Sequence, residues 1–415
     1  MKIKNETLYK DSFCLFIMNM LASLLNYICQ ILMAKVLSVS SFGAINTIFS
    51  YLLIVGVPGT TLTMLVSKKI AELNFDSKSN LNYSYLLYGL KIVNILTVFA
   101  FFLLLIMSPA LKGIMRLPNN LVTLEVVLLG ALSFYHPFFS GVYTGIKRFI
   151  ILGMYALFIP LYKLVAVWAG WKFGETDEAK LILLLAFMII GTICVALGGF
   201  ALSIKVIGRK KIKKEKRLFE KEKLDSETIN TFLINICLMI YMNMDVLSIR
   251  YRGGEVESGL YSSVILFGRI IYYFATTLAS ILLPNVIYDN KNKKKVLNRC
   301  MAMLLIFSIV CLLPINIWGY EIIKLIYGEQ YGSAQVYIIY NSVISIALSL
   351  NTVLTNYLVG IGKTRQWRNV LIIEILIILG GIGINIGIFP LLFLIGLTGL
   401  LASVFGYYLS VSASH

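Results

Sequence analysis

Apolar stretches of roughly 20 residues recur along the whole chain and constrain its fold more than any other feature. A helix rises 1.5 Å per residue, so a stretch of this length crosses a hydrocarbon layer about 30 Å thick. Hydrophobic residues make up 59% of the 415 residues and charged residues 14%, against about 25% charged in a typical soluble protein. A soluble core cannot bury so much apolar surface. The sequence therefore predicts an all-α polytopic membrane protein.

The apolar runs between charged residues or Gly, Pro and Asn breaks predict about twelve transmembrane helices. The predicted spans are 12–36, 43–66, 84–108, 121–146, 150–170, 181–205, 228–249, 260–285, 297–318, 334–361, 367–388 and 391–411. The first run follows Lys2, Lys4 and Lys10, but it is longer than the apolar core of a signal peptide. We therefore interpret it as an anchored span.

Lys and Arg residues alternate between the two sides of the predicted spans. Of the 37, 26 lie before the first span or in the loops on that side, and eight lie in the opposite loops. Because basic residues are enriched in cytoplasmic loops, this asymmetry predicts a multi-pass protein of the cell membrane with both termini cytoplasmic. It also accounts for most of the net charge of +17, so no nucleic-acid partner is expected.

One long basic segment lies near the middle of the chain. The run from Arg209 to Lys223 dominates residues 206–227, which we interpret as a cytoplasmic linker that can also rest on anionic lipid headgroups. The linker separates a predicted six-helix bundle at 1–205 from a second at 228–415. Six spans in each half give both halves the same orientation, as in a parallel repeat.

Three short matches support this repeat, because they occur in the same order in both halves. Each pairs a segment with another 210 to 216 positions later. The matches are Val36-Leu37-Ser38 with Val246-Leu247-Ser248, Gly43–Ile70 with Gly259–Val286, and Gly145-Ile146 with Gly360-Ile361. The first of them places Lys35 opposite Asp245.

Four segments, in order, resemble the polysaccharide transport family of the multidrug/oligosaccharidyl-lipid/polysaccharide exporter superfamily. They are 41–73 (SFGAINTIFSYLLIVGVPGTTLTMLVSKKIAEL), 139–149 (FSGVYTGIKRF), 258–287 (SGLYSSVILFGRIIYYFATTLASILLPNVI) and 321–334 (EIIKLIYGEQYGSA). The resemblance implies two pseudo-symmetric six-helix bundles around a central cavity. The sequence leaves no room for the two extra helices that some members carry.

The resemblance also implies a function. The implied cargo is an oligosaccharide on a polyprenyl-diphosphate lipid, flipped from the inner to the outer leaflet by alternating access for cell-surface polysaccharide synthesis. Other polysaccharide-assembly proteins and membrane lipids are the expected partners. The alternative is a multidrug or organic-cation exporter of the same superfamily, which should favour acidic cavity residues.

Flipping such a lipid requires a hydrated path with cations that meet the phosphates. Ionisable side chains are costly at mid-membrane unless they are paired or hydrated, so they are the candidates. Arg269 lies about nine residues into the eighth predicted span, and its guanidinium suits bidentate phosphate contact; the alternative is a structural ion pair with Asp245. Lys163 and Lys91 either line the cavity or extend to the outer and cytoplasmic interfaces, respectively.

Two acidic residues are candidates for coupling transport to a cation, either H⁺ or Na⁺. Asp245, near the outer end of the seventh span with Asn243 beside it, either binds the cation or forms a salt bridge with a basic residue. Its salt-bridge partners would be Arg269, Lys35 or Arg250. Glu374, in the eleventh span, has the same two interpretations. Glu125 is expected at the outer interface.

Pro58 and Gly59 interrupt the second span, where they either form a hinge or make a tolerated bend. The chain has two histidines and no CxxC pair, so we predict no catalytic residue, metal site or cofactor. A membrane polymerase or ligase would need a substantial outer loop with catalytic groups. The predicted outer loops are only roughly a dozen residues long, and the sequence predicts a protein that is not an enzyme.

Overall fold

The computed structural model describes residues 5–75, 82–207, 226–288, 293–384 and 386–411, and within these ranges it has sixteen α-helices, one 3₁₀ helix and no strand. The helices of the first half are α1 (Asn5–Val36), α2 (Val39–Val55), α3 (Val57–Phe75), α4 (Asn82–Ile106), α5 (Ser108–Met115), α6 (Asn120–Leu132), α7 (Tyr135–Gly145), α8 (Phe149–Phe173) and α9 (Asp177–Ile207). Those of the second half are α10 (Ser226–Arg252), α11 (Glu255–Tyr288), α12 (Lys293–Ile317), α13 (Gly319–Tyr327), α14 (Ile338–Gly360), α15 (Thr364–Gly383) and α16 (Ile388–Val411), with the 3₁₀ helix at Glu329–Tyr337.

The described part of the chain contains 11 helices that are long and apolar enough to cross a membrane, or 12 if α2 and α3 form one bent span. The predicted all-helical membrane fold with about twelve spans is therefore confirmed. Helices α2 and α3 meet at a bend of 42°, where a single span was predicted over 43–66. Pro58 lies in the first turn of α3, where its missing N–H breaks no helix bond.

Two short helices, α5 and α13, are absent from the predicted spans. Each has too few residues to cross a membrane, so a search for apolar runs of roughly 20 residues cannot detect it. They begin at Ser108 and Gly319, which are 211 positions apart, within the range of offsets found for the sequence matches. Each follows the third long span of its half.

The described residues form two compact units, one from Met1–Ser38 and Val55–Glu222 and the other from Val39–Ile54 and Lys223–His415. The structure thus groups α2 with the helices of the second half, although it belongs to the first half in sequence. The domain boundaries at 1–205 and 228–415 stay a prediction. Most of the predicted linker 206–227, namely 208–225, lies outside the described residues.

The first unit has an aromatic core between α3, α4, α7, α8 and α9. Phe138, Phe139, Tyr143 and Tyr155 are all buried there. The Tyr143 hydroxyl donates to the Gly199 carbonyl over 2.8 Å. Aromatic side chains bury large apolar areas, and the Tyr143 and Tyr155 hydroxyls find helix carbonyls as acceptors.

In the second unit, α2 packs closely on α11 through glycine. A methyl group at Gly43 would lie 2.5 Å from the backbone nitrogen of Gly259 and 2.8 Å from Oγ of Ser258. Small residues allow transmembrane helices to approach closely, which is the main source of their packing energy in lipid. Gly43 and Gly259 are the first residues of the matched segments in the proposed repeat, and the structure brings them into contact.

Candidate functional site

Helix α10 carries an unusual set of buried polar groups for a membrane-spanning helix. Asn243, Asp245, Ser248 and Arg250 are all at most 4% exposed. Polar and charged side chains within a membrane span are expensive, so such a cluster needs partners or a function. Its neighbours are α11, α14, α15 and α16 of the same unit.

Asp245 has hydrogen-bond donors at both carboxylate oxygens. Tyr261 of α11 donates its hydroxyl proton to Oδ2 over 2.6 Å, and the Val246 backbone N–H donates to Oδ1 over 2.8 Å. These bonds stabilise the carboxylate without a contacting cation. Tyr261 was not among the predicted site residues, because nothing in its sequence position distinguishes it from an interfacial tyrosine.

Arg269 lies eight residues after Tyr261 on α11 and is only partly buried. Its guanidinium makes no hydrogen bond and no ion pair within 4 Å to any residue that the structure describes. Asp245 and Arg269 form no salt bridge within 4 Å in the described residues, and Oδ2 of Asp245 accepts from Tyr261 instead. The choice between a cargo contact and a structural ion pair for Arg269 stays a prediction. Arg269 still lies within electrostatic range of Asp245 and of Tyr272.

Glu374 of α15 is 4% exposed, and its Oε1 has no hydrogen-bond partner among the described residues. Tyr241 of α10 is within electrostatic range of both Glu374 and Asp245, and it donates its hydroxyl proton to the Ile395 carbonyl over 3.1 Å. The fold thus brings the two predicted coupling carboxyls within electrostatic range of one tyrosine. The sequence, in which they are far apart, gave no sign of this.

Asn243, two residues before Asp245 on α10, is fully buried. Its amide donates to the Met239 carbonyl one turn earlier, over 2.8 Å, whereas its Oδ1 has no partner among the described residues. The oxygen is therefore a spare acceptor inside the unit. A buried acceptor of this kind costs free energy unless it receives a proton donor or a cation.

In the first unit, Lys163 of α8 is partly buried against α1. Its ammonium group donates to Oδ1 of Asn26 over 3.4 Å. One helical turn along each helix, the Cys29 thiol lies 3.5 Å from the Pro160 carbonyl. Gln30, one turn after Asn26, has a buried Oε1 without a partner among the described residues. Lys163 is therefore part of an amide-rich seam between α1 and α8.

Lys91 is exposed on α4, and no hydrogen bond or ion pair holds it within the described ranges. Of the two predicted basic site residues in the first unit, Lys163 is partly buried and Lys91 is exposed.

Of the predicted hinge residues, Pro58 is exposed, whereas Gly59 is buried against the Pro137 ring. A methyl group added at Gly59 would lie 2.6 Å from Cγ of Pro137.

Two charged residues lie in unexpected places. Arg250, expected in an outer loop, is 1% exposed and donates to the backbone carbonyls of Ser40 and Glu255 over 3.3 and 3.4 Å. Ser40 also donates its hydroxyl proton to the Glu255 carboxylate over 2.6 Å. Glu125, expected at the outer interface, is 6% exposed with Oε2 unpartnered in the described part. Both lie near span ends, where sequence alone cannot distinguish a loop position from a packed one.

No family model and no curated protein sequence matches this chain. Solved structures do match its fold. An inward-facing multidrug resistance MATE family transporter of the MOP superfamily aligns over 94% of each chain with a TM-score of 0.69 and 14% identity. An outward-facing one covers 98% of this chain and 96% of its own, with a TM-score of 0.62 and 12% identity.

A third match is a MOP superfamily transporter from Pyrococcus furiosus, described as having a binding pocket of reverse polarity that suggests a different function. It covers 98% of this chain and 94% of its own, with a TM-score of 0.61 and 12% identity. The chain therefore has the fold of MATE transporters of the MOP superfamily.

Proposed function

We propose that this membrane protein is a flippase that moves a polyprenyl-diphosphate-linked oligosaccharide from the inner to the outer leaflet by alternating access. The resemblance of four segments to polysaccharide transporters supports the cargo. The fold supports transport, because solved proteins with this fold include transporters in inward-facing and outward-facing states.

The observation that carries the proposal is Arg269. It is a partly buried cation in a membrane-spanning helix, and its guanidinium has no hydrogen-bond acceptor within the described residues. Five N–H donors in a planar fork are suited to a phosphate, and a guanidinium binds phosphate with two parallel hydrogen bonds. Tyr272, one turn further on, offers an aromatic face for a sugar ring.

Lys163 is the second proposed cargo contact. Its ammonium group is only partly buried, and its hydrogen bond to Asn26 is long at 3.4 Å. The amides of Asn26 and Gln30 are one turn apart on α1 and can bind sugar hydroxyls. Lys91 stays a predicted cargo contact with weaker support, since it is exposed.

Asp245, Asn243 and Glu374 are the proposed coupling group. A proton or Na⁺ at this group would meet oxygens from three side chains. The Asp245 carboxylate already accepts from two donors, whereas Oδ1 of Asn243 and Oε1 of Glu374 have no partner among the described residues. Oxygen ligands of this kind suit hard cations. We expect Asp245→Asn to abolish the dependence of transport on a cation gradient. A separate Na⁺ or proton gradient imposed across the vesicles distinguishes the two ions.

The test is a flipping assay in proteoliposomes. A fluorescent polyprenyl-diphosphate oligosaccharide is incorporated in both leaflets, and the fraction accessible to an impermeant quencher is followed with time. Wild-type protein should accelerate flipping, and Arg269→Gln should slow it at least about tenfold, the equivalent of one lost charge-assisted contact of about 1.4 kcal/mol. Arg299→Gln, which removes an exposed cation from α12, is the matched control.

The alternative is an organic-cation exporter, and the two buried carboxyls Asp245 and Glu374 favour it. The same vesicles loaded with ethidium separate the two functions. Wild-type protein that exports ethidium but leaves the oligosaccharide lipid in place would overturn the flippase proposal. Flipping at the wild-type rate by Arg269→Gln would remove Arg269 from the mechanism.

A further inference from the structure

Helices α5 and α13 each turn one side towards the core of their unit. Leu111 and Met115 of α5 are buried, and so are Ile323 and Tyr327 of α13. Residues four apart lie one above the other on a helix, so each pair marks one continuous buried side. The two pairs are 212 positions apart, within the offsets of the proposed repeat. Each half of the chain therefore has a short helix with the same buried side, after its third long span.

A lysine at the corresponding position of each helix contacts the segment that follows. Lys112 donates to Oδ1 of Asn120 over 2.6 Å, and Lys324 forms an ion pair with Glu329 over 2.5 Å. In both helices the lysine lies next to the first residue of the buried pair. The repeat therefore extends to the charged side of the two helices.

The surface of α13 outside the core has two chemically different flanks. Successive residues are about 100° apart around a helix, which places the exposed Glu321 and Lys324 on one flank and Leu325 with the partly buried Ile322 on the other. Leu325 is 85% exposed, more than any other large hydrophobic residue that the structure describes. A charged flank beside an apolar flank is typical of a helix that lies where water meets lipid.

The apolar flank of α13 continues the exposed surface of the membrane-spanning helix α12. Val310 and Ile317 of α12 are exposed, and so is Trp318 at its junction with α13. Tyr320, in the first turn of α13, is exposed as well. Trp and Tyr rings are enriched at the boundary between hydrocarbon and water, so this junction belongs at that level. By the predicted topology the junction lies on the outer side of the membrane.

Helix α5 repeats this arrangement over two turns. Ile114 is exposed, and so is Ala110 one turn before it. Ile106, at the end of the membrane-spanning helix α4, is also exposed. Around either helix in the same direction, the buried side is followed by the lysine and then by the apolar flank. The same order at the same place in both halves argues against a chance exposure of Ile114 or Leu325.

We propose that α5 and α13 are interfacial helices whose partner is the outer leaflet of the bilayer. Ile114 and Leu325 insert among the acyl chains, whereas Glu321 and Lys324 stay in water. An amphipathic helix in this position buries its apolar side about 5–10 Å into the boundary between headgroups and acyl chains. The bilayer is favoured over a protein partner because both apolar flanks continue the exposed surfaces of membrane-spanning helices. The proposal is independent of the transported cargo.

The experiment measures the depth of single sites in the purified full-length protein in phosphatidylcholine nanodiscs. Leu325 is replaced by p-acetylphenylalanine and coupled to a hydroxylamine spin label, which leaves the six native cysteines unlabelled. Power saturation compares collisions with oxygen, which concentrates in hydrocarbon, and with a water-soluble nickel chelate. We expect the label at position 325 to favour oxygen and to lie about 5–10 Å inside the boundary.

The matched control carries the same label in place of Glu321, on the charged flank of the same helix. This label should favour the nickel chelate. A label in place of Ile114 should reach the same depth as the label at position 325, because the two helices are equivalent. All three side chains are exposed, so the labels replace no core contact.

Any of four outcomes would overturn the proposal. A label at position 325 that favours the nickel chelate would place the apolar flank in water. Protection of that label from both reagents would indicate that protein, such as a second copy of the chain, covers the flank. A label at position 321 as deep as the one at 325 would mean that the helix is immersed rather than interfacial. Nickel access at position 114 would end the equivalence of the two helices.

Discussion

Arg250 and Arg269 lie on neighbouring helices of one unit, yet their surroundings differ. Arg250 is 1% exposed and donates to two backbone carbonyls at the junction where α2 packs on α10 and α11. Arg269 is partly exposed and donates to no described acceptor. The first guanidinium completes a packed junction, and the second is the proposed contact for the cargo phosphate. The same side chain in a membrane span can therefore be structural or functional, and only its partners distinguish the two.

The largest effect on stability should come from the packed junction. Arg250→Met leaves the Ser40 and Glu255 carbonyls without their buried donor, and we expect a loss of about 3 kcal/mol in the free energy of unfolding. This loss is measured by heating the detergent-solubilised protein and monitoring the decrease of its monodisperse elution peak. Arg250→Lys keeps the charge with fewer donors and should lose less. An unchanged midpoint for Arg250→Met would refute the structural role.

A smaller effect should follow from Gly43→Ala at the same junction. The new methyl group would lie 2.5 Å from the Gly259 nitrogen, and since that neighbour is backbone the helices must separate. Overpacking of this kind costs about 1–3 kcal/mol. The matched control is Gly380→Ala in α15, where the methyl group meets nothing within 4 Å. If both variants unfold at the same temperature, the close α2–α11 contact is not a source of stability.

Tyr261→Phe should have an intermediate effect, because it deprives the buried Asp245 carboxylate of one of its donors. Loss of a hydrogen bond to a charged group costs about 1.5 kcal/mol. The control is Tyr337→Phe. The Tyr337 ring makes an edge contact with Tyr261, but its hydroxyl donates to no described acceptor. Equal melting temperatures for these two variants would show that the Tyr261–Asp245 bond is not maintained in solution.

The smallest effect on stability is expected for Arg269→Gln. A guanidinium without hydrogen bonds contributes little to folding, and we expect a change under about 0.5 kcal/mol. Together with the loss of flipping proposed above, this would separate a ligand-binding arginine from a structural one. A loss as large as that of Arg250→Met would instead place Arg269 among the structural residues.

The sequence predicted the character of several site residues but not their partners. It identified Asp245, Glu374 and Arg269 as charges in apolar spans, which the structure confirms as buried or partly buried. It could not indicate that Tyr261 binds Asp245, because that contact depends on the rotation of α10 against α11. It placed Arg250 outside the membrane span, because a cation near the end of an apolar run usually belongs to the loop.

The sequence by itself determined that the chain is a helical membrane protein with about twelve spans, because transfer to lipid depends on the sum of side-chain hydrophobicities over roughly 20 consecutive residues. Only the tertiary structure decided where α2 breaks from α3, that Gly43 meets Gly259, and which charges have partners. These features depend on how distant helices approach and turn towards one another. In lipid, close packing and hydrogen bonds, rather than composition, determine which arrangement of the helices is stable.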